Sequence, residues 1–537
     1  MNSYDEWPHV PSGHPDDPVS VTASDPVFVN PNSFESLKVV LRRVGSAAHI
    51  KRYHPDHPNA REWLSVAMDG LPYLVCREVI ETVHICSSCG KELNSSECHD
   101  HTLKEHNGQR VHYIREFDWA FIRIGKLHFE MNMARTFIDV NWNVYFSALA
   151  YELGFKSEAA QKFVRKGSDH HKTMSLIKVA HIGLWYGLIA PYVKDRLGSN
   201  RSMSVNDYLY EWLTEKTWHD ETYRYTFSIA WTYLMAIHMF RIGVRKNHSE
   251  YVRTGQLAFA PMFHRNAVAK YALIDLYDSL DRASLPSRLN DFVTRTESIS
   301  TSGNKSKGED IDACLEEVNK QSKVWQHGSM VALDWLRIFR NLGNLNMVRE
   351  WLLNIIGLRD PKDDANATVK KPYDFHDEVV AWRVKLRRER YLTSYSEGKP
   401  LSSIDGEELD HGLKQFDNTL QDNRRKLLKE MFIQGKERNN VIVTPLFITK
   451  EDRSKAEDVK NLTKAAILVR IGDKINLICN EDVKSILREK FDLIKRAKDS
   501  TRKEVLIQFC EEVECELSQH SVMEDECIVE ELSESEG

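Results

Sequence analysis

The stretch that most constrains the fold of this chain is an alternating apolar run that ends in an aspartate. Residues 63–68 alternate in the manner of a half-buried strand, and Asp69-Gly70-Leu71-Pro72 then turns the chain. A strand that stops at Asp-Gly places a carboxylate at the C-terminal edge of a sheet, where α/β and nuclease-like folds keep their chemistry. The alternative is that Asp69 only initiates a turn before glycine.

Composition indicates a folded, multidomain protein. The 537 residues carry a net charge of −6, and 42% of them are hydrophobic. A protein that coats nucleic acid is usually basic, so any contact with DNA is expected to be local or weak. The most membrane-like stretch, residues 226–240, is too short to span a bilayer with ease and is interpreted as a buried helix. We therefore predict no membrane contact.

The start of the chain and its cysteines favour a reducing compartment. Residues 1–33 are polar and proline-rich and lack the apolar centre of a signal peptide. The cysteines number nine, and an odd count without an export signal favours reduced thiols. These features predict a nuclear or cytoplasmic protein.

A Cys/His cluster gives the strongest local signal. Cys86-x2-Cys89 is followed after eleven residues by His101 and, after four more, by His106. Zinc prefers four thiolate or imidazole ligands at tetrahedral angles, and this spacing supplies them. The usual finger has twelve residues in the middle, so this one is a residue short. Cys98 or the neighbouring His99 can therefore replace one of the histidines as a ligand.

The residues around the cluster favour a structural role for the metal. A free-standing finger needs an apolar core, and only Leu93 and Leu103 are candidates for one here. The sequence predicts a structural zinc knuckle that staples a long hairpin, not a finger that reads bases. Unliganded thiols in a loop are the alternative.

Two other blocks carry side chains suited to metal-dependent chemistry. His128 and Glu130 follow an alternating run, residues 117–124, at a strand-to-helix junction. Glu309, Asp312 and Glu316 recur at helical spacing and share one helix face. Two-metal phosphoryl transfer needs carboxylates from separate elements around Mg²⁺ ions. A solvated acidic helix face is the alternative.

A nucleotide site is excluded by the charges beside its best candidate. Gly303-x4-Gly308 has the glycine spacing of a phosphate loop, but Glu309 and Asp310 stand where Lys and Ser/Thr are required. These carboxylates would repel a triphosphate. The adjacent His170 and His171 point about 100° apart on a helix, so they are predicted to lie on a helix surface.

The pattern along the chain predicts a helix-rich α+β protein with seven segments. They are a disordered lead-in (1–33), a sheet core containing the Cys/His insert 82–112 (34–135), an all-helical insertion (136–296), return helices that complete the core (297–357), a linker (358–375), a C-terminal helical region (376–510) with a short strand at 441–448, and an acidic disordered tail (511–537).

The blocks occur in an order that resembles a known family. In chain order, the blocks are Asp69–Tyr73, the Cys-x2-Cys knuckle, Leu127–Met133, Ser300–Gly303, Gly308–Asp312 and Leu315–Lys323. This order is similar to that of a domain-of-unknown-function family of transposon-derived proteins, akin to transposases of the Kyakuja–Dileera–Zisupton type. The likeness covers roughly residues 35–350.

The resemblance implies a partial RNase H-like core with a mixed sheet, interrupted by a large helical insertion as in hAT-type transposases. In that layout the second metal carboxylate ends a strand, which fits Asp69, and a histidine-bearing strand follows, which fits His128. The third carboxylate lies on a helix after the insertion, which fits Glu309, Glu316 or Glu317. Mg²⁺ is implied only if the core is catalytically active.

The chain departs from this family at its start. Residues 1–60 offer no convincing first-strand aspartate, because Asp25 and Asp56 lie in proline-rich or loop context. No N-terminal DNA-binding module is evident. We therefore predict a transposase-derived protein that has lost DNA strand transfer, with DNA at most a weak or vestigial partner. A zinc-stapled helical scaffold that binds protein partners is the alternative.

Overall fold

A computed structural model gives the fold and describes residues 10–19, 21, 25–30, 32–265, 270–326, 328–357, 375–392, 398–409, 416–433, 464–476, 478, 480–496, 505–514 and 516. The chain is 66% helical with small sheets, which confirms the predicted helix-rich α+β class. The predicted strand at 441–448, nearly all of the linker at 358–375 and most of the acidic tail lie outside the described residues.

Within the described residues, the strands lie in the first quarter of the chain. The elements there are α1 (Phe34–Ala47), β1 (Leu64–Met68), α2 (Gly70–Thr82), β2 (Val83–Cys86), β3 (Glu92–Asn94), α3 (Cys98–Glu105), β4 (Tyr113–Arg115) and β5 (Ala120–Ile124). The helices that follow are α4 (Lys126–Val140), α5 (Ser147–Glu152), α6 (Glu158–Arg165), α7 (His170–Gly198), α8 (Leu213–His219), α9 (Glu221–Ser228), α10 (Met235–Lys246), α11 (Ser249–Phe263), α12 (Lys270–Ser284), α13 (Ser287–Arg295), α14 (Ile311–Lys323), α15 (Ala332–Ile355), α16 (His376–Arg388), α17 (Phe416–Leu427), α18 (Lys464–Asn476) and α19 (Glu481–Arg496).

The sheet beside Asp69 consists of β1 and β5, which pair in parallel from Leu64–Ala120 to Met68–Ile124. Because both strands end at the same edge, Asp69 and the start of α4 become neighbours in space. The wider mixed sheet of an RNase H-like core is not found in the described part of the chain, where nothing before Leu64 forms a strand beyond an isolated bridge between Ile50 and Arg61.

The Cys/His insert forms a separate antiparallel sheet in the order β3-β2-β4. The hairpin of β2 and β3 is followed by α3, and the chain then returns as β4 on the free edge of β2. The predicted long hairpin is therefore a two-stranded hairpin, a helix and a third strand.

The hydrophobic core crosses the predicted domain boundaries at 135/136 and 375/376. One continuous hydrophobic core extends from Leu37 in α1 to Leu427 in α17, and α4 runs across the first boundary without a break. Trp382 of α16 has no exposed surface because Gly183 of α7 lets its ring approach closely. A second hydrophobic cluster is formed by residues between Ile467 and Val513.

The predictions for the chain ends also need correction. Within the supposed lead-in, Val10 is 4% exposed, its carbonyl accepts a hydrogen bond from Lys246 Nζ at 3.0 Å, and the Gly13 N–H donates to the Lys246 carbonyl at 2.8 Å. At the other end, residues 505–514 are helical and Val513 is buried. In both places an apolar side chain is buried, which a local count of polar residues does not detect.

Two helical stretches, His170–Gly198 and Glu221–Lys246, are long and apolar enough to cross a membrane by length and composition alone. In each, 56% of the most apolar window is buried inside the protein. The second stretch contains the predicted buried helix at 226–240, where Ile229, Leu234 and Ile237 have no exposed surface. This burial favours the interpretation of core helices.

Candidate functional site

Four side chains of the Cys/His cluster converge on one site. Cys86, Cys89, His101 and His106 each offer one atom, and all four atoms lie within 4.8 Å of one another. Cys86 Sγ is 3.4 Å from His106 Nε2, and Cys89 Sγ is 3.6 Å from His101 Nε2. This Cys₂His₂ set can hold a metal ion and is compatible with zinc.

Local backbone geometry explains this convergence. β2 ends at Cys86, and the Gly90 N–H donates to the Cys86 carbonyl at 2.9 Å to close the turn that carries Cys89. Gly90 has a φ of +71°, which glycine adopts without strain. The histidines come from α3 and the residue that follows it, so the hairpin and the helix each supply two ligands.

The substitute ligands considered from the sequence stand apart from this set. Cys98 directs its thiol to the Asn94 carbonyl at 3.5 Å, and His99 is exposed. The spacing of eleven residues therefore needs no replacement ligand. Of the two apolar candidates, Leu93 is buried, whereas Leu103 is 54% exposed and adds no core.

The environment of Cys86 favours a thiolate. Burial alone would raise the pKa of this thiol, but hydrogen bonds from the backbone N–H groups of Cys89 and Ser88 outweigh burial and lower the pKa. The thiolate is the form that binds metal.

Two glutamates attach the Cys/His module to α1. Glu92 of β3 accepts a hydrogen bond from Lys38 at 2.5 Å and pairs with Arg42. Glu116, just after β4, accepts from the same Arg42 guanidinium at 2.6 and 2.7 Å. The module is thus attached to α1 by ion pairs from both glutamates.

The second group surrounds His128 at the carboxyl edge of β1 and β5. Asp312 Oδ2 lies 3.1 Å from His128 Nδ1, and Asp69 and Glu316 are close enough to act on the His128 charge. Tyr271 of α12 lies near Asp69, whose charge contributes, after burial, to raising the pKa of Tyr271. Asp69 and the start of α14 thus both lie near His128, and the acid in contact with His128 is Asp312 rather than Glu309, Glu316 or Glu317.

Asp312 is held by the start of α4. Its carboxylate accepts from the backbone N–H groups of His128 at 3.0 Å and Leu127 at 3.3 Å, while Asp310 accepts from the Lys126 N–H at 2.9 Å. The helix begins after Gly125, which has no side chain to cap these donors. A Cβ at Gly125 would lie 2.4 Å from Asp312 Oδ2, so only glycine permits this approach.

Hydrogen bonding and nearby charges favour the ionised forms of His128 and Asp312. The hydrogen bond to Asp312 raises the pKa of His128 despite burial, and the charges of Asp69 and Glu316 add to the rise. Burial would raise the pKa of Asp312, but hydrogen bonds from the side chain and backbone of His128 and from the Leu127 N–H lower it. The raised pKa of His128 favours the imidazolium form, whose charge would offset part of the negative charge of the site.

The remaining predicted residues lie elsewhere. Glu130 is 6% exposed and binds Arg241 at 2.5 Å and His170 at 3.0 Å, so it belongs to an internal ion cluster. His170 is accordingly half-buried rather than fully on the helix surface, whereas His171 is exposed as predicted. Glu309 precedes α14 and pairs through its backbone with Ile299, and Glu317 is exposed beside Lys320.

Among the residues that the structure describes, only the Cys/His set brings three or more potential ligand atoms within metal-binding range. The carboxylates around His128 form no such group. Sequence reasoning overlooked Tyr271 and the capping role of Asp312. The one available signal was Gly125, a helix start without a capping side chain.

A pH experiment tests the His128–Asp312 pair. Because the folded-state pKa of His128 is raised, its charge stabilises the fold fully below the unfolded value of about 6.5, and this contribution is lost as pH rises through the folded-state pKa. We expect His128→Asn to cost about 1–2 kcal/mol at pH 6 and clearly less at pH 9, measured by urea unfolding. The exposed His99→Asn is the control, and an equal loss at both pH values would contradict the ion pair.

Comparison with known proteins finds no match among protein-family models, curated proteins or solved structures. The physical basis for a function is therefore the geometry of the two groups: four ligand atoms within 4.8 Å of one another at the Cys/His set, and a carboxylate group centred on His128.

Proposed function

We propose that the protein is derived from a transposase, retains a remnant of an RNase H-like core, and has lost DNA strand transfer. The observation that carries the proposal is the group of Asp69, His128 and Asp312 at the shared edge of β1 and β5. These residues follow the order expected for such a core. An acid ends a strand, a histidine comes next, and a second acid lies on a helix after a long helical span.

The same group supports the loss of catalysis. Strand transfer needs carboxylate oxygens that are free to bind two Mg²⁺ ions. Both oxygens of Asp312 instead accept hydrogen bonds from α4, and the His128 imidazole occupies the space beside them. A first-strand carboxylate is also lacking in the described residues ahead of β1, since no strand forms there.

A metal-stapled scaffold is the second candidate, and the Cys₂His₂ set favours it. Four protein ligands fill a tetrahedral zinc ion and leave no position for water or substrate, which is typical of structural zinc. The ion pairs to α1 would transmit the gain in stability to the body of the protein. The two candidates are compatible, because a domesticated core can persist as a scaffold.

A nicking assay tests the catalytic part of the proposal. Purified full-length protein is incubated with supercoiled plasmid and with labelled linear DNA in Mg²⁺ or Mn²⁺. We expect no cleavage above the level of Asp69→Ala, because the carboxylates are engaged by the helix start and by His128. Divalent-dependent nicking that disappears in Asp69→Ala would show that strand chemistry survives.

A further inference from the structure

We propose that Tyr113 is a positioning residue for the metal site, which fixes His101 in the tautomer that binds metal through Nε2. The inference rests on the proposed metal site and extends it to a residue outside the ligand set. Tyr113 lies on β4 directly opposite the ligand Cys86 in the sheet register. Its hydroxyl oxygen is 3.0 Å from His101 Nδ1 and 2.7 Å from Thr102 Oγ1.

The direction of these hydrogen bonds follows from counting protons. The Thr102 hydroxyl donates its single proton to the Cys98 carbonyl one helical turn back, at 3.0 Å. The one arrangement that makes all three contacts hydrogen bonds has Thr102 Oγ1 accepting from Tyr113. The single Tyr113 proton is then committed to Thr102, so the Tyr113 oxygen is left to accept from His101, and Nδ1 must carry hydrogen.

These hydrogen bonds determine which nitrogen of the His101 ring carries hydrogen and leave Nε2 without one. A neutral imidazole with hydrogen on Nδ1 has a free lone pair on Nε2. His101 Nε2 is the atom that faces Cys89 Sγ at 3.6 Å. His101 is 5% exposed, which leaves little room for the ring to turn. The site is thus oriented for metal before the metal arrives, as outer partners of ligating histidines commonly achieve.

The third strand acquires a function from this arrangement. A hairpin and a helix already supply all four ligands, and β4 adds none. β4 contributes the Tyr113 hydroxyl. Tyr113 pairs with Cys86 in the sheet and hydrogen-bonds His101, so it connects a ligand of the hairpin with a ligand of the helix.

The first test is the metal affinity of Tyr113→Phe, which removes one oxygen and keeps the ring. Affinity is measured by competition of Zn²⁺ with a chromophoric chelator and by Co²⁺ titration, whose d–d absorption reports tetrahedral coordination. We expect affinity to fall 10- to 100-fold with the fold retained by circular dichroism. Thr102→Val should lower affinity in the same direction, because it frees the Tyr113 proton. Tyr151→Phe, at an exposed tyrosine, is the matched control.

The second test reads the tautomer without metal. Long-range ¹H–¹⁵N NMR of metal-free full-length protein should show hydrogen on His101 Nδ1, and Tyr113→Phe should give a mixture. Hydrogen on Nε2 in the parent, or unchanged metal affinity in Tyr113→Phe, would overturn the inference. A parent protein that binds no Zn²⁺ or Co²⁺ would instead refute the proposed metal site, and the tautomer would still decide the role of Tyr113.

Discussion

Cys86→Ser is expected to abolish metal binding and to unfold the Cys/His module. Metal-binding free energies of isolated zinc modules are roughly 10–16 kcal/mol and appear as folding free energy. The module here has few apolar side chains of its own, since Leu103 is exposed and only Leu93 is buried among the two candidates. The metal is therefore expected to be its main source of stability.

Two measurements on purified full-length protein check this expectation. Metal analysis should find about one zinc per parent chain, matching a single four-ligand site, and none in Cys86→Ser. Hydrogen exchange should show lost protection over residues 83–115. Because Glu92 and Glu116 hold α1, protection of α1 should fall as well.

The matched control is Cys98→Ser, a cysteine in the same module whose thiol contacts the Asn94 carbonyl instead of the ligand set. It should keep the metal and the exchange pattern of the parent. Equal loss in both variants, or a parent without bound metal, would contradict a site formed by Cys86, Cys89, His101 and His106.

Glu130→Gln is expected to cost about 3–5 kcal/mol of unfolding free energy, because it removes a buried carboxylate that pairs with Arg241 and His170. In the parent, burial would raise the pKa of Glu130, but the Arg241 charge and the His170 hydrogen bond lower it to about 2. A carboxylate with a depressed pKa stabilises the fold above its unfolded pKa. That contribution is lost as pH falls through about 2.

Urea unfolding at neutral pH gives the size of the effect. Glu317→Gln on the exposed face of α14 is the control, and it should change stability by less than about 0.5 kcal/mol. If Glu130→Gln were as mild as this control, Glu130 would not belong to an internal ion cluster. The comparison also distinguishes a structural role of Glu130 from the catalytic role that its position near His128 in the sequence predicts.

Local signals in the sequence were sufficient to predict the features that depend on residues close together in the chain. The strand before Asp69 is present as β1, and the ligand spacing from Cys86 to His106 forms one cluster. Both follow from short-range rules: alternation defines a strand, and a hairpin followed by a helix brings ligands of this spacing together.

Features that depend on distant residues were beyond the sequence. Asp312 was visible as an acid on a helix, but its contact with His128 requires α14 to pack on the start of α4, 184 positions away in the chain. Glu130 resembled a site residue until Arg241, 111 positions away, was found beside it.

The sequence by itself determined that a Cys/His cluster surrounds Cys86 and Cys89 and that a strand ends at Asp69, because each depends on short-range patterns. The structure was needed to assign His101 and His106, rather than Cys98 or His99, to the ligand set. Only the tertiary structure decided which acid meets His128, that Glu130 is internal, and that Tyr113 reaches His101. The physical reason is that a carboxylate or hydroxyl takes its role from the charges and donors around it, and these come from elements that only packing brings together.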